Sequence, residues 1–165
     1  MLKKISIFLI LLFSISLFAQ AEKEKKAKEM VEKGIAFLQK NKWKVEKNIM
    51  YVQKGGKWVS LGEILRDPKN RLKEGEFYLF VIDMKGITYA HGEKKELDGK
   101  NMIDLKDTNG KEFIKEYIKV IKEKGEGWVD YTWPNPVTKK IGKKNTYLKR
   151  FGKEDFFVLC GYYLE

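Results

Sequence analysis

The sequence predicts an α+β protein, in which an antiparallel sheet of about five strands packs against a long N-terminal helix and a second, crossing helix. Three observations support this prediction. A helix-period segment comes first, a buried strand with a short return strand follows, and an amphipathic helix then precedes three strand-like segments. Helices that do not alternate regularly with strands favour an antiparallel sheet over a parallel one.

The first 21 residues predict a signal peptide. A basic pair, Lys3-Lys4, precedes an apolar run over residues 5–18, and Ala19-Gln20-Ala21 then fits the small-x-small cleavage pattern. The apolar run is short for a membrane span, although an uncleaved anchor is the alternative. We expect cleavage after Ala21, a mature chain of residues 22–165 that forms one domain, and a periplasmic or secreted location.

The charge of the chain favours anionic ligands. The formal net charge is +11, and the lysines are scattered along the chain, often beside glutamate. The densest basic runs contain no interleaved aromatic residues, so a groove for single-stranded nucleic acid is not indicated. Cys160 is the only cysteine, which excludes an intramolecular disulfide, and it lies in a hydrophobic run typical of a buried side chain.

The N-terminal third predicts one long helix and a small hairpin. Residues 22–40 place apolar side chains at helical spacing, so this helix must lie against an apolar surface. Gly55-Gly56 separates the β-prone runs around Ile49–Val52 and Trp58-Val59, which predicts a hairpin. Leu61–Arg66 is a helical turn that ends before Pro68.

The central part predicts the first two strands of the main sheet and a helix. Phe77–Ile82 is almost continuously apolar, as expected for a strand buried on both faces, and Ile87–His91 returns beside it after a tight turn. A helix follows, with Asn109 as its predicted cap and Glu112 as the capping-box partner. Gly125 ends this helix.

Three strands complete the predicted sheet, over residues 127–133, 145–151 and 156–163, with a polar loop over Pro136–Lys144 between the first two. Tyr131 and Trp133 lie on one face of the first of these strands by alternation. Two large rings side by side are ordinary core or the wall of a small ligand pocket.

A few polar side chains are candidates for ligand contacts. His91 lies two residues after Tyr89, so both are predicted on the same face of their strand. Lys149 lies two residues after Tyr147, so both side chains are predicted on the same face of their strand. Lys149 is either a residue of a sheet edge or a desolvated cation that could bind an anion. A single histidine cannot make a zinc site, and no Ser-His-acid, Walker or dinucleotide pattern occurs. The sequence therefore gives no support for an enzyme, a cofactor or a metal.

Five segments in this order resemble the single-Cache family, whose members are PAS-like extracytoplasmic sensor domains of chemoreceptors and histidine kinases and also occur as free secreted proteins. The segments are FYLFVIDMKGITYAHG (77–92), DGKNMIDLKDTNGKEFI (98–114), GWVDYTWPNPVTKK (127–140), TYLKRF (146–151) and FFVLCGYY (156–163). The resemblance implies a PAS-like sheet over residues 77–165, preceded by a helix and connecting segment over residues 22–76.

The resemblance also implies a function. Members of the single-Cache family bind small organic acids, so the implied ligand is a short carboxylate. The implied partner is a membrane receptor or kinase that receives the signal. By motif, the residues implied to face the ligand are His91, Tyr131, Trp133 and Lys149, with Tyr89 and Tyr147 beside them. Thr132 stands where the family often has a basic residue, and Gly92 stands where a proline commonly follows the histidine.

Two other functions remain open. The chain could be a structural or interaction protein that has kept this fold and lost its ligand, which the departure at Thr132 and the unusually long segment over residues 43–65 motivate. An enzyme that uses His91 or Cys160 is poorly supported, because neither residue has a visible partner group.

Overall fold

The predicted N-terminal helix is present as α1 (Leu2–Lys40). This computed structural model describes residues 2–152 and 154–164, with side chains from Leu17 onward. The apolar stripe of α1 is buried as predicted, with side chains such as Val31 and Leu38 almost fully covered.

The predicted signal segment forms the beginning of α1, apart from Met1, which lies outside the described residues. The side chains of residues 2–16 also lie outside them, so cleavage after Ala21 stays a prediction. Across the described part of the chain, no helix has the length and apolarity that a membrane span requires.

A small antiparallel sheet follows α1. It consists of β1 (Trp43–Glu46), β2 (Ile49–Lys54) and β3 (Lys57–Ser60), in that order. Gly55 and Gly56 have φ angles of 55° and 79° and form the predicted turn between β2 and β3. The chain then enters α2 (Leu61–Arg66), as predicted, and a short 3-10 turn at Pro68–Asn70.

The main sheet has six antiparallel strands. They are β4 (Lys73–Glu74), β5 (Phe77–Asp83), β6 (Thr88–His91), β7 (Glu126–Pro134), β8 (Ile141–Arg150) and β9 (Phe156–Tyr163). Five of them run in the order β6-β5-β9-β8-β7, and the short β4 pairs with the beginning of β5 on the same edge as β6. This arrangement confirms the predicted α+β fold.

The two faces of this sheet carry different elements. On one face lie α1 and α2, which share one apolar cluster with side chains such as Leu79, Tyr147 and Val158. On the other lies α3 (Phe113–Lys124), which forms a second cluster with Phe80, Tyr131 and others. Every residue of β5 is buried because the strand has a covered face on each side, as the continuous apolar run predicts.

The structure corrects the predicted start of α3. Asn109 does not cap the helix, because its backbone N–H donates to Asp107 Oδ1 at 2.8 Å within a turn. Glu112 occupies the N-cap position without a side-chain hydrogen bond. The Asp107 carboxylate also accepts from the Thr132 backbone N–H at 2.9 Å, so it joins this turn to β7.

Two further corrections concern the strands that surround α3. β8 begins at Ile141, so the predicted polar loop is shorter and Lys144 belongs to a strand. β6 contains a β-bulge: Thr88 pairs with Ile82 and Ala90 pairs with Val81, which leaves Tyr89 as an extra residue between them. The bulge overturns the prediction that Tyr89 and His91 share a face.

A close approach between α1 and β5 depends on Gly34. A Cβ at this position would lie 2.7 Å from Leu79 Cδ1. We expect Gly34→Leu to lower the free energy of unfolding by about 1–3 kcal/mol through overpacking, despite the better helix propensity of leucine. Urea denaturation measures this change, and Lys33→Leu on the exposed side of α1 is the control. Equal stabilities of the two variants would contradict the packing argument.

Candidate functional site

A small cavity lies on the α3 face of the main sheet. The segment over residues 92–112 and the start of α3 close it from outside. Eleven side chains line it: Phe80, Ile82, Thr88, His91, Leu97, Met102, Leu105, Phe113, Ile114, Tyr131 and Trp133. Its volume is about 20 Å³, which is room for about one water molecule.

One wall of the cavity is aromatic. Phe113 of α3 stacks on Tyr131 of β7, with ring centroids 4.2 Å apart and planes inclined by 7°. Trp133 meets the edge of Phe113 at 5.7 Å, and the Lys94 ammonium covers Trp133 from outside at 4.8 Å. The predicted shared face of Tyr131 and Trp133 is confirmed, and both side chains belong to the cavity lining.

The opposite wall presents a neutral imidazole. The bulge in β6 turns His91 toward the cavity together with Thr88. His91 Nδ1 accepts from the backbone N–H groups of Glu93 and Lys94 at 3.1 and 2.9 Å. The proton of the neutral ring therefore sits on Nε2, for which no acceptor occurs among the residues that the structure describes.

The environment of His91 is positive. Burial holds its pKa well below the ordinary value, and the positive charges of Lys144, Lys94, Arg66 and Lys73 lower the pKa further. The imidazole is thus uncharged at neutral pH, and its Nε2–H is available to donate a hydrogen bond to a ligand. An anion in the cavity would meet both this donor and the surrounding positive field.

The backbone of His91 is held by an ion pair. Its N–H donates to Asp98 Oδ1 at 2.7 Å, and its carbonyl accepts from Arg66 Nη1 at 2.7 Å. Arg66 Nη2 and Asp98 Oδ2 are themselves 2.9 Å apart. Because Asp98 lies in the segment that closes the cavity, this pair fixes that segment to the end of β6.

Gly92 contributes to the same attachment. Its N–H donates to the Leu79 carbonyl at 2.8 Å, a bond that a proline could not make. A Cβ at this position would lie 2.6 Å from the same carbonyl oxygen. Glycine at this position, where the family commonly has proline, therefore allows the chain to lie close against β5 and to bond to it.

Lys144 is a candidate site residue that the sequence reasoning missed. It is completely buried, and its ammonium lies 3.7 Å from the centroid of the Tyr78 ring and 5.7 Å from that of Phe80. Within the described part of the chain, Nζ has no hydrogen-bond partner. Burial lowers the pKa of this ammonium to about 7, against an ordinary value near 10.5.

The sheet makes room for Lys144 at Gly161 of β9. A Cβ there would lie 2.5 Å from Lys144 Cε and 2.4 Å from Thr146 Oγ1. Any larger residue would displace the buried lysine or the neighbouring strand. The strand pair therefore accommodates a side chain that burial alone would disfavour.

Three of the six predicted site residues do not reach the cavity. Lys149 lies on the opposite face of β8, where Nζ bonds Glu32 of α1 at 2.6 Å. Tyr147 shares that face and belongs to the α1 cluster. Tyr89 is turned to the same side by the bulge and donates its hydroxyl to Asp83 Oδ2 at 3.0 Å. The prediction that these three converge with His91, Tyr131 and Trp133 is wrong.

Hairpin register is the signal that could have identified Lys144. Pro134 pairs with Ile141 in the β7–β8 hairpin, which places Lys144 opposite Tyr131. Directly paired residues of an antiparallel sheet share a face, so Lys144 faces the same side as Tyr131. Lys149 is an odd number of residues from Lys144 along β8, so its side chain lies on the opposite face of the sheet, toward α1.

Catalytic and metal chemistry find little support in the geometry. No group of three histidine, cysteine or acidic side chains suited to a metal occurs in the described residues. Cys160 is buried, which raises the pKa of its thiol to about 12 and keeps it protonated. The cavity offers a neutral donor and an aromatic wall, and the Lys144 ammonium lies behind the lining residue Phe80 rather than in the lining itself. Together these groups suit the binding of a small anion.

Comparison with known proteins decides the family. The family model described as a Cache domain matches residues 61–165. The chain belongs to the Cache family. Domains of this family are extracytoplasmic sensors, and the relatives described below are sensor and chemoreceptor proteins.

Two relatives show similar sequences. The sensor histidine kinase MctS of Rhizobium johnstonii is 33% identical over 88 residues, which is 53% of this chain and 19% of the kinase. A Cache chemosensory domain solved for carboxylic acid recognition is 26% identical, with a TM-score of 0.53 over 56% of this chain and 63% of that chain. The Cache chain thus spans about a fifth of the curated relative and less than two thirds of that structure.

Other solved structures confirm the fold. A periplasmic sensor domain of a chemotaxis protein is 27% identical, with a TM-score of 0.52 over 56% of this chain and 64% of that chain. A methyl-accepting chemotaxis protein of Vibrio parahaemolyticus RIMD 2210633 matches at a TM-score of 0.65 and 22% identity. That match covers 93% of this chain and 97% of the other, so it includes most of the long N-terminal helix.

The burial of Lys144 predicts a stability change. We expect Lys144→Met to raise the free energy of unfolding by about 1–4 kcal/mol below pH 7, because methionine removes a buried and unpartnered cation. The folded-state pKa of Lys144 is lowered, so folding displaces its proton between pH 7 and the ordinary lysine value. Wild type therefore gains stability relative to the variant as the pH rises through this window.

Denaturant unfolding at several pH values measures this difference. Lys143→Met is the matched control, since the Lys143 side chain is 58% exposed on the neighbouring position of β8. A variant at Lys144 that is less stable than wild type below pH 7 would contradict the account of this residue.

Proposed function

We propose that this Cache domain binds a short monocarboxylate in the cavity between the main sheet and the 92–112 segment, and that it signals through a separate partner. The observation that carries the proposal is the buried Lys144 ammonium, which has no partner within the described residues. A polar atom that is buried and unsatisfied is costly, and a bound anion would supply the partner that this ammonium lacks.

The chemistry of the cavity fits a carboxylate with a short apolar tail. Lys144 is not one of the lining side chains, but its ammonium lies 5.7 Å from the ring of the lining residue Phe80 and provides a cation in a dry environment beside the cavity. In such an environment its attraction to an anion is strong. His91 provides a hydrogen-bond donor at Nε2, as the bonds to its Nδ1 require. The rings of Tyr131 and Trp133 provide apolar contact for the remaining carbon atoms.

Entry of a ligand requires the cavity to open. The present volume of about 20 Å³ accommodates a water molecule rather than an acid. The 92–112 segment supplies Leu97, Met102 and Leu105 to the lining, and its outward displacement would enlarge the space. The Arg66–Asp98 pair holds one end of this segment, so it sets how readily the cavity opens.

Similarity supports the same ligand class and suggests the partner. One related structure concerns carboxylic acid recognition by a Cache domain, and one relative is a sensor histidine kinase. We infer a membrane receptor or kinase as the partner, and a non-catalytic role for this chain. We also infer a periplasmic or secreted domain of residues 22–165 after removal of a signal peptide.

A structural protein on the Cache scaffold is the second candidate function. The small cavity volume and the 4.2 Å stack of Phe113 on Tyr131 favour it, because the site is largely filled by its own side chains. The two candidates differ in what they expect of Lys144. Only the ligand-binding role provides a countercharge for this buried ammonium.

Calorimetry and thermal shift test the proposed ligand class. We expect one or more of acetate, propionate, pyruvate and lactate to raise the melting temperature, and amino acids to have less effect, because a second ammonium group would enter a positive site. Lys144→Met should abolish this shift, whereas Lys149→Met on the other face should retain it. Folded protein that no acid stabilises would favour the structural role.

The pKa of Lys144 predicts how binding depends on pH. A carboxylate favours the charged ammonium, so binding should take up a proton when the pH lies above about 7. We expect the dissociation constant to rise by up to about tenfold per pH unit above this value. Calorimetry in two buffers of different ionisation enthalpy measures the proton uptake, and pH-independent affinity between pH 7 and 9 would contradict it.

A further inference from the structure

We propose that the tip of the β7–β8 hairpin, residues 135–141, docks on an anionic membrane surface. The tip presents Val137 and Ile141, whose side chains are 61% and 59% exposed. These are the most exposed large apolar side chains in the described part of the chain after Leu17 and Phe18. The inference is independent of the carboxylate cavity.

Positive charge surrounds the two apolar side chains. Lys139 and Lys140 are exposed on the tip. The nearby Lys143, by contrast, lies 3.5 Å from Asp130 Oδ2. The sequence contains no aspartate or glutamate between Tyr131 and Gly152. Elsewhere in the chain lysines commonly pair with carboxylates, as Lys149 does with Glu32. The tip itself carries no acidic side chain, and the Glu76 carboxylate reaches only its base, where it accepts from Asn135 Nδ2 at 3.4 Å.

The conformation of the tip is fixed by Asn135. Its side-chain oxygen accepts from the backbone N–H groups of Val137 and Thr138 at 2.8 and 3.1 Å. Its backbone N–H donates to the Lys140 carbonyl at 2.8 Å, and its own carbonyl accepts from the Lys139 N–H at 2.9 Å. The loop is therefore ordered, and it holds Val137 outward rather than folding it onto the sheet.

The position of the tip also suits a membrane contact. Tyr163 donates its hydroxyl to the Pro134 carbonyl at 2.7 Å, and its own carbonyl accepts from Lys23 Nζ at 3.0 Å. The tip thus lies at the end of the domain where α1 enters. Leu17 and Phe18 precede Lys23 by roughly one and a half helical turns and lie at the same end, but they belong to the predicted signal peptide, so the contact of the mature chain rests on the tip.

A lipid surface fits this chemistry better than a protein partner. Val137 and Ile141, which flank the lysine pair, offer too little apolar surface to form the core of a stable protein interface. Aliphatic side chains that enter the headgroup boundary, with lysines beside anionic headgroups, are typical of peripheral membrane contacts.

A fluorophore on the tip tests the proposal with the full chain. Thr138→Cys provides a thiol for an environment-sensitive dye, since the native Cys160 is buried. With vesicles of phosphatidylglycerol and phosphatidylcholine we expect a blue shift and a rise in emission. Vesicles of phosphatidylcholine alone should give neither, and a dye attached through Val45→Cys at the far end of the domain should remain unchanged.

Variants in the labelled chain identify the contacts. Lys139→Gln with Lys140→Gln should weaken the apparent vesicle affinity by about fivefold for each lysine, and Val137→Ser with Ile141→Ser should weaken it as well. Lys122→Gln with Lys124→Gln, on the exposed end of α3, is the matched charge control and should leave it within about twofold. The N-terminal segment is common to all variants, so it cannot produce the difference.

Three outcomes would overturn the proposal. The first is an unchanged emission of the tip dye with anionic vesicles. The second is an equal loss of affinity in the tip variants and the α3 control, which would indicate attraction to net charge alone. The third is an equal response to soluble polyglutamate, which would favour an acidic protein over a lipid surface.

Discussion

The burial of one ammonium group is the constraint on which the site depends. Lys144 is enclosed by the rings of Tyr78, Phe80 and Tyr163, and no described residue provides a hydrogen-bond acceptor for it. Aromatic faces attract a cation, but they do not replace the hydration that the cation loses. The folded state therefore holds Lys144 close to the boundary between its charged and neutral forms. A carboxylate would complete this site by supplying the missing countercharge.

The backbone geometry of the surrounding strands determines where Lys144 and His91 lie. The register of the β7–β8 hairpin places Lys144 opposite Tyr131, and Gly161 of the neighbouring strand leaves the space that the lysine occupies. The bulge in β6 turns His91 to the same face. A salt bridge between Arg66 and Asp98 then fixes the backbone of His91 and the segment that closes the cavity. The proposed binding site and the segment that closes the cavity therefore share the backbone of His91 as a common support.

The features that the sequence could predict are those that depend on the spacing of apolar residues within one helix or one strand. The helical stripe of α1 and the apolar run of β5 each follow from local spacing, so both elements were predicted correctly. The alternation in β7 likewise identified the shared face of Tyr131 and Trp133. These three features needed no knowledge of the partner strands.

Features set by pairing between segments could not be predicted in this way. The run Ile141–Lys144 contains glycine and lysines and resembles a loop, so the start of β8 was missed and Lys149 was chosen in place of Lys144. The extra residue at Tyr89 has no local signature, because a bulge is defined by the strand opposite. The bond between Arg66 and Asp98 joins distant parts of the sequence, and only the folded chain reveals it.

The most direct test of this account is the protonation equilibrium of Lys144 in the folded protein, followed by NMR of its labelled side-chain carbon and nitrogen. We expect a pKa near 7 in the free protein, as burial requires, and a higher pKa when acetate or another short acid is bound. A pKa close to the ordinary lysine value in the free protein would show that the ammonium is solvated, and it would contradict the central claim.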